Sequence, residues 1–159
     1  MEVRRATVED AAAFARGMAT VADEGRWLAT PAGTPPGVLA DRFVHALEDG
    51  HTLFAAVKGG AVVGCLGLHP SATAGVLDLG MWLLREARGR GGGRMLVEAA
   101  LAHARSTDAH KVQLEVYPDN GRAIALYAAA GFEPEGIKRN HYRRPDGSLR
   151  SALVMSLLL

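Results

Sequence analysis

The sequence predicts an α/β fold in which a mixed sheet carries helices on its faces. Three observations predict it: short runs that alternate between apolar and polar residues, longer runs with apolar residues at helical spacing, and the order of these runs. That order is strand, two helices, three strands, helix, strand, helix and two strands. We expect one domain over residues 1–159, because the chain is 48% hydrophobic and of single-domain length.

The first half of the chain contains the two leading helices and a hairpin. Thr7 is a predicted N-cap for the first helix, and turn residues precede the second. Gly59 and Gly60 separate two apolar runs, which is typical of a tight hairpin. The predicted helices are residues 8–22 and 38–50, and the predicted strands after them are 51–58, 61–69 and 75–84.

The second half alternates helices and strands around a buried helix. Residues 92–106 are apolar almost all round, so we expect that helix to pack against the sheet. Val112, Leu114 and Val116 alternate with polar residues, which predicts a strand that Pro118 ends. The remaining predicted elements are a short helix at 119–131 and two strands, 136–144 and 149–159.

Composition excludes several classes of protein. The net charge of +1 gives no global attraction to nucleic acid, and no apolar run approaches the ~20 residues of a membrane helix. The single cysteine, Cys65, cannot form an intramolecular disulfide, and no signal-peptide core precedes the first helix. We expect a cytoplasmic protein without nucleic-acid or membrane partners. Its histidines are scattered, so we expect no metal site.

The stretch "REARGRGGGRMLVEAALAHA" is the most unusual part of the sequence. An RNA-binding tract or linker would be longer and less apolar, and the dinucleotide and Walker patterns both fail here. A strand that turns through glycines into a helix exposes backbone N–H groups at a positive helix end. With Arg85, Arg88, Arg90 and Arg94 nearby, the stretch predicts a site for a ligand with several negative charges.

Two motifs resemble those of the GNAT N-acetyltransferase superfamily. "RGRGGG" is similar to the acyl-CoA signature Q/R-x-x-G-x-G/A, with Arg88, Gly91 and Gly93 at the diagnostic positions. "LEVYPDNGRAIALYAAAGF" is similar to the second hallmark, with matches that include Asn120 and Tyr127. The resemblance implies a mostly antiparallel, twisted sheet of about seven strands with helices on both faces, and acetyl-CoA as the cofactor.

The resemblance also implies where the cofactor binds. In the superfamily the loop amides hold the pyrophosphate, and the free edge of the preceding strand pairs with the pantetheine arm. A backbone N–H near Leu83 would polarise the thioester carbonyl. The implied cofactor-binding residues are Met81, Trp82, Leu83, Arg88, Gly89, Arg90, Gly91, Gly92, Gly93, Arg94, Asn120, Ala123 and Tyr127.

Tyr127 is the implied general acid. Asn120 and Tyr127 lie about 10 Å apart along one face of the predicted helix, which suits contacts with the pantetheine amide and the sulfur. The leaving thiol has a pKa of about 8.5 and a tyrosine one of about 10, so Tyr127 keeps its proton at neutral pH and can pass it to the nascent thiolate.

Glu115 is the implied general base. It precedes Asn120 by the spacing seen in the ribosomal-protein alanine acetyltransferase branch of the superfamily, where a glutamate in that place acts as base. A carboxylate of ordinary pKa is poorly matched to an ammonium, so Glu115 would need a raised pKa or a bridging water. The alternation of "KVQLEVY" supports a solvent-facing strand residue equally well.

The acceptor is less well specified by the sequence. The C-terminal segment resembles small-molecule GNAT enzymes, except that Ser151 replaces an aspartate, and so a small primary amine or amino acid is the main expectation. A protein N-terminal acetyltransferase and a non-catalytic acyl-CoA-binding module are the alternatives. Dimers are common in the superfamily, so a homodimer is a further expectation. The candidate acceptor contacts are Glu24, Trp27, His69 and His141.

Overall fold

The structure is a computed structural model that describes residues 1–159. It contains seven strands and four helices in the predicted order, so the predicted α/β class is confirmed. The strands are β1 (Glu2–Arg5), β2 (Thr52–Lys58), β3 (Ala61–Pro70), β4 (Val76–Leu83), β5 (Lys111–Val116), β6 (Glu133–Arg143) and β7 (Leu149–Leu158). The helices are α1 (Ala11–Asp23), α2 (Pro36–Glu48), α3 (Gly92–Ala104) and α4 (Gly121–Ala129).

All seven strands form one sheet in the order β1-β2-β3-β4-β5-β7-β6. Only the central pair, β4 and β5, is parallel. A parallel pair needs a crossover, and α3 supplies it between β4 and β5. The sheet is therefore mostly antiparallel, with its single parallel pair at the centre.

The helices cover both faces of the sheet. On one face, α3 and α4 bury Leu96, Val97 and Tyr127 against the larger core cluster. On the other, α1 and α2 contribute Val21 and Phe43 to a smaller cluster that contains Trp82. None of the four helices has the length and hydrophobicity of a transmembrane helix.

The first helix begins with a capping arrangement. The side chains of Thr7 and Asp10 form a reciprocal capping box around a single 3-10 turn, Val8–Asp10, ahead of α1. Thr7 is thus a cap as predicted, although α1 itself begins three residues after the expected start.

A bulge interrupts the β6–β7 pairing. Lys138 pairs with Ala152 and Tyr142 with Arg150, so residues 139–141 lie opposite Ser151 alone. Asn140, at the centre, has a φ of 48° and donates its N–H to the Ser151 hydroxyl over 3.0 Å. Ser151, which departs from the expected aspartate, therefore stabilises the bulge by accepting this hydrogen bond.

Candidate active site

A gap opens between β4 and β5 at the centre of the sheet. The parallel pairing begins at Val76 and Lys111 and ends at Leu79 and Leu114. Beyond that point β5 stays paired with β7, while β4 stays paired with β3 as far as Leu83. The two strands consequently diverge, and the last residues of β4 keep an unpaired edge.

Met81 and Leu83 direct their backbone groups into this gap. The N–H of Leu84 bonds to the Val63 carbonyl on β3, and backbone directions alternate along a strand. Trp82 therefore also faces β3, whereas Met81 and Leu83 face the gap. The Leu83 carbonyl already accepts from Nε of Arg88 over 2.9 Å, which leaves the Leu83 N–H free.

The predicted cofactor contact at Trp82 is not supported by this geometry. Its backbone is directed at β3, and its indole packs in the smaller core, where the ring lies 5.6 Å from Phe14 in an edge-on arrangement. The indole N–H is the one buried side-chain polar atom without a hydrogen-bond partner. Sequence spacing placed Trp82 next to the gap but could not tell which strand its backbone would face.

The glycine-rich turn presents six consecutive unpaired N–H groups. None of the N–H groups of residues 89–94 donates within the chain, and the first hydrogen bond of α3 runs from Met95 to the Gly91 carbonyl over 3.0 Å. Gly89 and Gly91 have φ values of 70° and 85°, a left-handed conformation that glycine adopts without a Cβ clash. These amides and the helix N-terminus form a site for an oxyanion.

Gly92 and Gly93 lie close to side chains from other parts of the chain. A Cβ on Gly92 would lie 2.6 Å from the Met1 sulfur. One on Gly93 would lie 3.0 Å from Cδ2 of Leu126 on α4. These glycines therefore allow α3 to pack closely, in addition to any contact with a ligand.

Arg88 and Glu24, predicted to bind the cofactor and the acceptor, instead bind each other. Two hydrogen bonds of 2.9 and 2.7 Å join the guanidinium to the carboxylate, and both side chains are about four-fifths buried. The hydrogen bond from Arg88 keeps the pKa of Glu24 below its ordinary value. Both side chains are thus engaged in holding the turn, and their contacts with a cofactor and an acceptor stay predictions.

The other loop arginines differ from Arg88. Arg94 pairs with Glu98 one helical turn on, over 2.7 Å, and both side chains are largely exposed. Arg90 is exposed and forms no ion pair within the chain. Among Arg88, Arg90 and Arg94, the loop arginines predicted to bind the cofactor, only Arg90 is therefore without an ion-pair partner in the chain.

Helix α4 carries the predicted pair Asn120 and Tyr127. Asn120 is the N-cap, and its side-chain oxygen accepts from the Ala123 N–H over 3.3 Å. The Tyr127 ring is buried against Phe132, and burial raises the pKa of its hydroxyl to about 12. The hydroxyl has no partner in the chain and is not among the fully buried polar atoms, so it reaches solvent as a protonated donor.

Glu115 lies on the opposite face of the sheet from Tyr127, in a cavity of about 60 Å³. Trp27 and Ala29 cover this cavity from the α1–α2 loop, and Tyr117 and Tyr142 form its sides. Glu115 and Trp27, far apart in sequence, are thus brought together as the acceptor prediction requires.

Both oxygens of the Glu115 carboxylate accept hydrogen bonds from β6. Lys138 donates to Oε1, and the Tyr142 hydroxyl donates to Oε2 over 2.7 Å. Burial alone would raise the pKa of Glu115, but the hydrogen bonds from Lys138 and Tyr142 outweigh it and lower the pKa. The raised pKa that direct proton abstraction from an ammonium would need is therefore absent.

The two candidate histidines lie in different places. His141 neighbours Tyr142, with ring centroids 4.9 Å apart, and its charge acts on Glu115. His69 pairs with Asp78 near the start of β4, at the end of the strand away from the glycine turn. Its Nδ1 lies 2.8 Å from Nδ1 of His51, and burial followed by the neighbouring His51 lowers its pKa. His69 therefore does not line the cavity that contains Glu115, and its contact with the acceptor stays a prediction.

Two arginines that sequence reasoning missed hold the α1–α2 loop in place. Arg144, buried, donates to the Leu28 carbonyl over 2.8 Å and to the Gly25 carbonyl over 3.3 Å. Arg150 donates to the Arg26 carbonyl over 2.7 Å and stacks 3.9 Å from the Tyr117 ring centroid. The arginines lie at the end of the β6–β7 hairpin, and no local sequence signal identifies their partners. They fix the loop that covers Glu115.

The family of the chain follows from a comparison with family models. The model for the acetyltransferase (GNAT) family matches residues 20–132. The chain belongs to the GNAT acetyltransferase family. The match spans β4, the glycine turn, α3, β5 and α4, and so includes both motifs that carry the resemblance.

Curated relatives match over part of their length. The [ribosomal protein bS18]-alanine N-acetyltransferase of Salmonella typhimurium is 38% identical over 68 residues, which cover 43% of this chain and 45% of that protein. The N-alpha-acetyltransferase RimI of Mycobacterium tuberculosis is 45% identical over 56 residues, 35% of this chain and 34% of that protein. The chain thus aligns with less than half the length of these relatives.

Solved structures show the same fold. A ribosomal-protein-alanine N-acetyltransferase from Brucella melitensis superposes with a TM-score of 0.91 and 22% identity, and the match covers 100% of both chains. A phosphinothricin acetyltransferase from Sinorhizobium meliloti, solved in complex with AcCoA, gives a TM-score of 0.89 and 20% identity, over 99% of this chain and 88% of that one. The predicted GNAT fold is confirmed.

Proposed function

We propose that the protein is an acetyl-CoA-dependent N-acetyltransferase that acetylates the α-amino group of a protein or peptide. The observation that carries the proposal is the unpaired edge of β4 next to the row of free N–H groups at residues 89–94. A ligand that combines an amide-bearing arm with a pyrophosphate matches both halves of this surface. Acetyl-CoA, which supplies the acetyl group as a thioester, is such a ligand.

The residues around the gap fit that cofactor. The free N–H groups of the turn are donors for a pyrophosphate, and the positive φ values of Gly89 and Gly91 set the backbone direction in the first half of the row. Along β4, Met81 offers backbone groups to the amides of the arm, and the free Leu83 N–H is a donor for a thioester carbonyl. Asn120 contributes its side-chain NH₂, because only its oxygen is used in capping.

Tyr127 and Glu115 divide the proton transfers. The Tyr127 hydroxyl, whose pKa is about 12, stays protonated and can donate to a departing thiolate. Glu115 has a lowered pKa, so it accepts the amine proton best through a water or from an amine that has already lost its charge. Both roles are part of the proposal.

The α-amine of a protein is favoured as acceptor by the names of the relatives given above, which specify an alanine of ribosomal protein bS18 and an N-alpha group. This replaces the small-molecule amine as the main expectation. Thiol release would be followed with acetyl-CoA and a set of short peptides with free N-termini, and the same peptides with blocked N-termini are the controls. We expect release with the free set only.

A small-molecule amine or amino acid is the second candidate. The cavity beside Glu115 measures about 60 Å³ and is covered by Trp27, which favours a small acceptor group. Turnover of free amines or amino acids at rates that exceed those of every peptide would select this candidate. Binding of acetyl-CoA without turnover on any acceptor would select a non-catalytic acyl-CoA-binding module.

A further inference from the structure

The Glu115 carboxylate, which lines the cavity proposed to receive the acceptor (the acceptor cavity), already binds a cation of its own chain. Lys138 donates to one oxygen of Glu115, and Tyr142 donates to the other. An acceptor ammonium that pairs with Glu115 would therefore lie beside the Lys138 ammonium.

The bulge in β6 produces this arrangement. Four residues of a regular strand would separate the Lys138 and Tyr142 side chains by about 13 Å. Their partners on β7, Ala152 and Arg150, are only two positions apart because residues 139–141 all lie opposite Ser151. Both side chains can thus reach a single carboxylate.

No second acid lines the cavity beside Glu115. Asp119 is paired with Arg150 over 2.7 Å, and Arg150 stacks on the Tyr117 ring. The titratable groups that face it from β6 are Lys138, His141 and Tyr142, and Tyr117 faces the same cavity from β5. Trp27 lines the cavity from the α1–α2 loop, and Arg144 adds a buried positive charge within 3.3 Å of the Tyr117 hydroxyl. A second ammonium in the cavity would meet the charge of Lys138 with no further carboxylate to offset it.

We propose that Lys138 determines acceptor selectivity by excluding charged amines, so that the site takes α-amino groups and rejects lysine side chains and alkylamines. The inference rests on the proposed function. An α-amine has a pKa of about 7.7–8.0 and a lysine amine one of about 10.4, so at pH 8.5 the first is mostly uncharged and the second almost wholly charged. Repulsion by Lys138 therefore acts on the lysine amine alone at that pH.

The test measures kcat and KM at pH 8.5 with two peptides of one sequence. The first has a free N-terminus and no lysine, and the second has a blocked N-terminus and one lysine. The proteins compared are the wild type, Lys138→Met, Lys138→Gln and Lys138→Arg. Lys111→Met is the matched control, because Lys111 pairs with Glu135 across the same sheet, outside the acceptor cavity.

We expect Lys138→Met and Lys138→Gln to lower KM for the lysine peptide by about tenfold, because Glu115 can then pair with the substrate ammonium. The same variants should change KM for the α-amine peptide by less than about twofold. Lys138→Arg keeps the charge and should behave like the wild type, as should Lys111→Met. At pH 10.5, where about half of the substrate lysine is uncharged, the difference between the wild type and Lys138→Met should shrink.

Two results would overturn the inference while leaving the proposed function intact. One is an unchanged KM for the lysine peptide in both uncharged variants that still turn over the α-amine peptide. The other is a fall in kcat with both peptides and no change in either KM. Absence of turnover by the folded wild type with both peptides would overturn the proposed function, and the inference with it.

Discussion

The guanidinium of Arg88 is joined to the carboxylate of Glu24 by two hydrogen bonds, of 2.9 and 2.7 Å, across 64 residues of sequence. This ion pair ties the start of the glycine turn to the end of α1. Because Arg88 also donates to the Leu83 carbonyl, one side chain connects the strand edge, the turn and the loop that leads to Trp27.

Arg88→Met should weaken both stability and cofactor binding. Loss of hydrogen bonds to a charged and largely buried partner should lower the free energy of unfolding by about 1.5–3 kcal/mol, measured by urea denaturation. The loosened turn should raise the Kd for acetyl-CoA. Arg94→Met, which removes an exposed pair with Glu98, should change stability by less than about 0.5 kcal/mol. Equal stability losses in the two variants would contradict the role given to Arg88.

Stability should fall on acidification below about pH 5. Hydrogen bonds from Arg4 and Thr7 lower the pKa of the buried Asp10, and Arg88 lowers that of Glu24. A carboxyl whose pKa is depressed on folding contributes stability above its unfolded pKa, about 4, and loses it as the pH falls through the folded pKa. Urea midpoints at pH 3–7 should therefore decline less steeply for Asp10→Asn than for the wild type. The exposed Asp41→Asn variant should follow the wild type.

Tyr127→Phe should slow turnover without loss of the cofactor. Removal of a general acid lowers rates by about 10²- to 10⁴-fold. The ring would keep its packing against Phe132, so the melting temperature should be nearly unchanged. The kcat of thiol release and the Kd of acetyl-CoA are the measurements. Full activity in a folded variant would remove Tyr127 from the mechanism.

The sequence could predict elements whose pattern is local. The alternation of Val112, Leu114 and Val116 predicted a strand with one buried face, and all three side chains are buried on β5. Residues 92–106 carry apolar side chains on nearly all sides of the predicted helix, which predicted that the helix packs against the sheet. In the structure α3 packs into the larger core cluster. Periodicity carries this information because burial repeats with the period of the element.

The rest of the site depends on partners that are distant in sequence. Arg88 and Glu24 each looked available for a ligand, and only the fold pairs them. The hydrogen bonds of Glu115 with Lys138 and Tyr142 depend on a bulge centred on Asn140. Asn140 is a non-glycine residue with positive φ, and the sequence around it contains no turn motif that would predict the bulge. The backbone direction of Trp82 follows from the pairing of β4, which continues with β3 after its pairing with β5 has ended. The sequence of a strand does not by itself specify its partner strands.

Gly91→Ala should impair the anion site more than the fold. An alanine at a φ of 85° costs about 1–2 kcal/mol and should distort the row of N–H groups, so the Kd for acetyl-CoA should rise about tenfold or more. Gly59→Ala is the matched control, since it also has positive φ and open space but lies in the β2–β3 turn. The two variants should lose similar stability, and only Gly91→Ala should bind the cofactor more weakly. Weakened binding in both would contradict the account.

Gly17→Ala tests the packing of Trp82 on α1. A Cβ at Gly17 would lie 2.3 Å from the Trp82 ring, so the variant should lose about 1–3 kcal/mol despite the better helix propensity of alanine. Gly37→Ala, near the start of α2 with nothing within 4 Å, should be neutral or slightly stabilising. The free energy of unfolding of each variant, measured by urea denaturation, is compared with that of the wild type. A neutral Gly17→Ala would mean that the indole can move aside.

The central claim is acetyl transfer from acetyl-CoA to an α-amine at the gap between β4 and β5. Its most direct test is thiol release from acetyl-CoA with a free N-terminal peptide, followed by mass spectrometry of the peptide. We predict release coupled to one added acetyl group on the N-terminal amine, and none with the blocked peptide. Tight binding of acetyl-CoA with no acetylated product from any peptide, amine or amino acid would contradict the account.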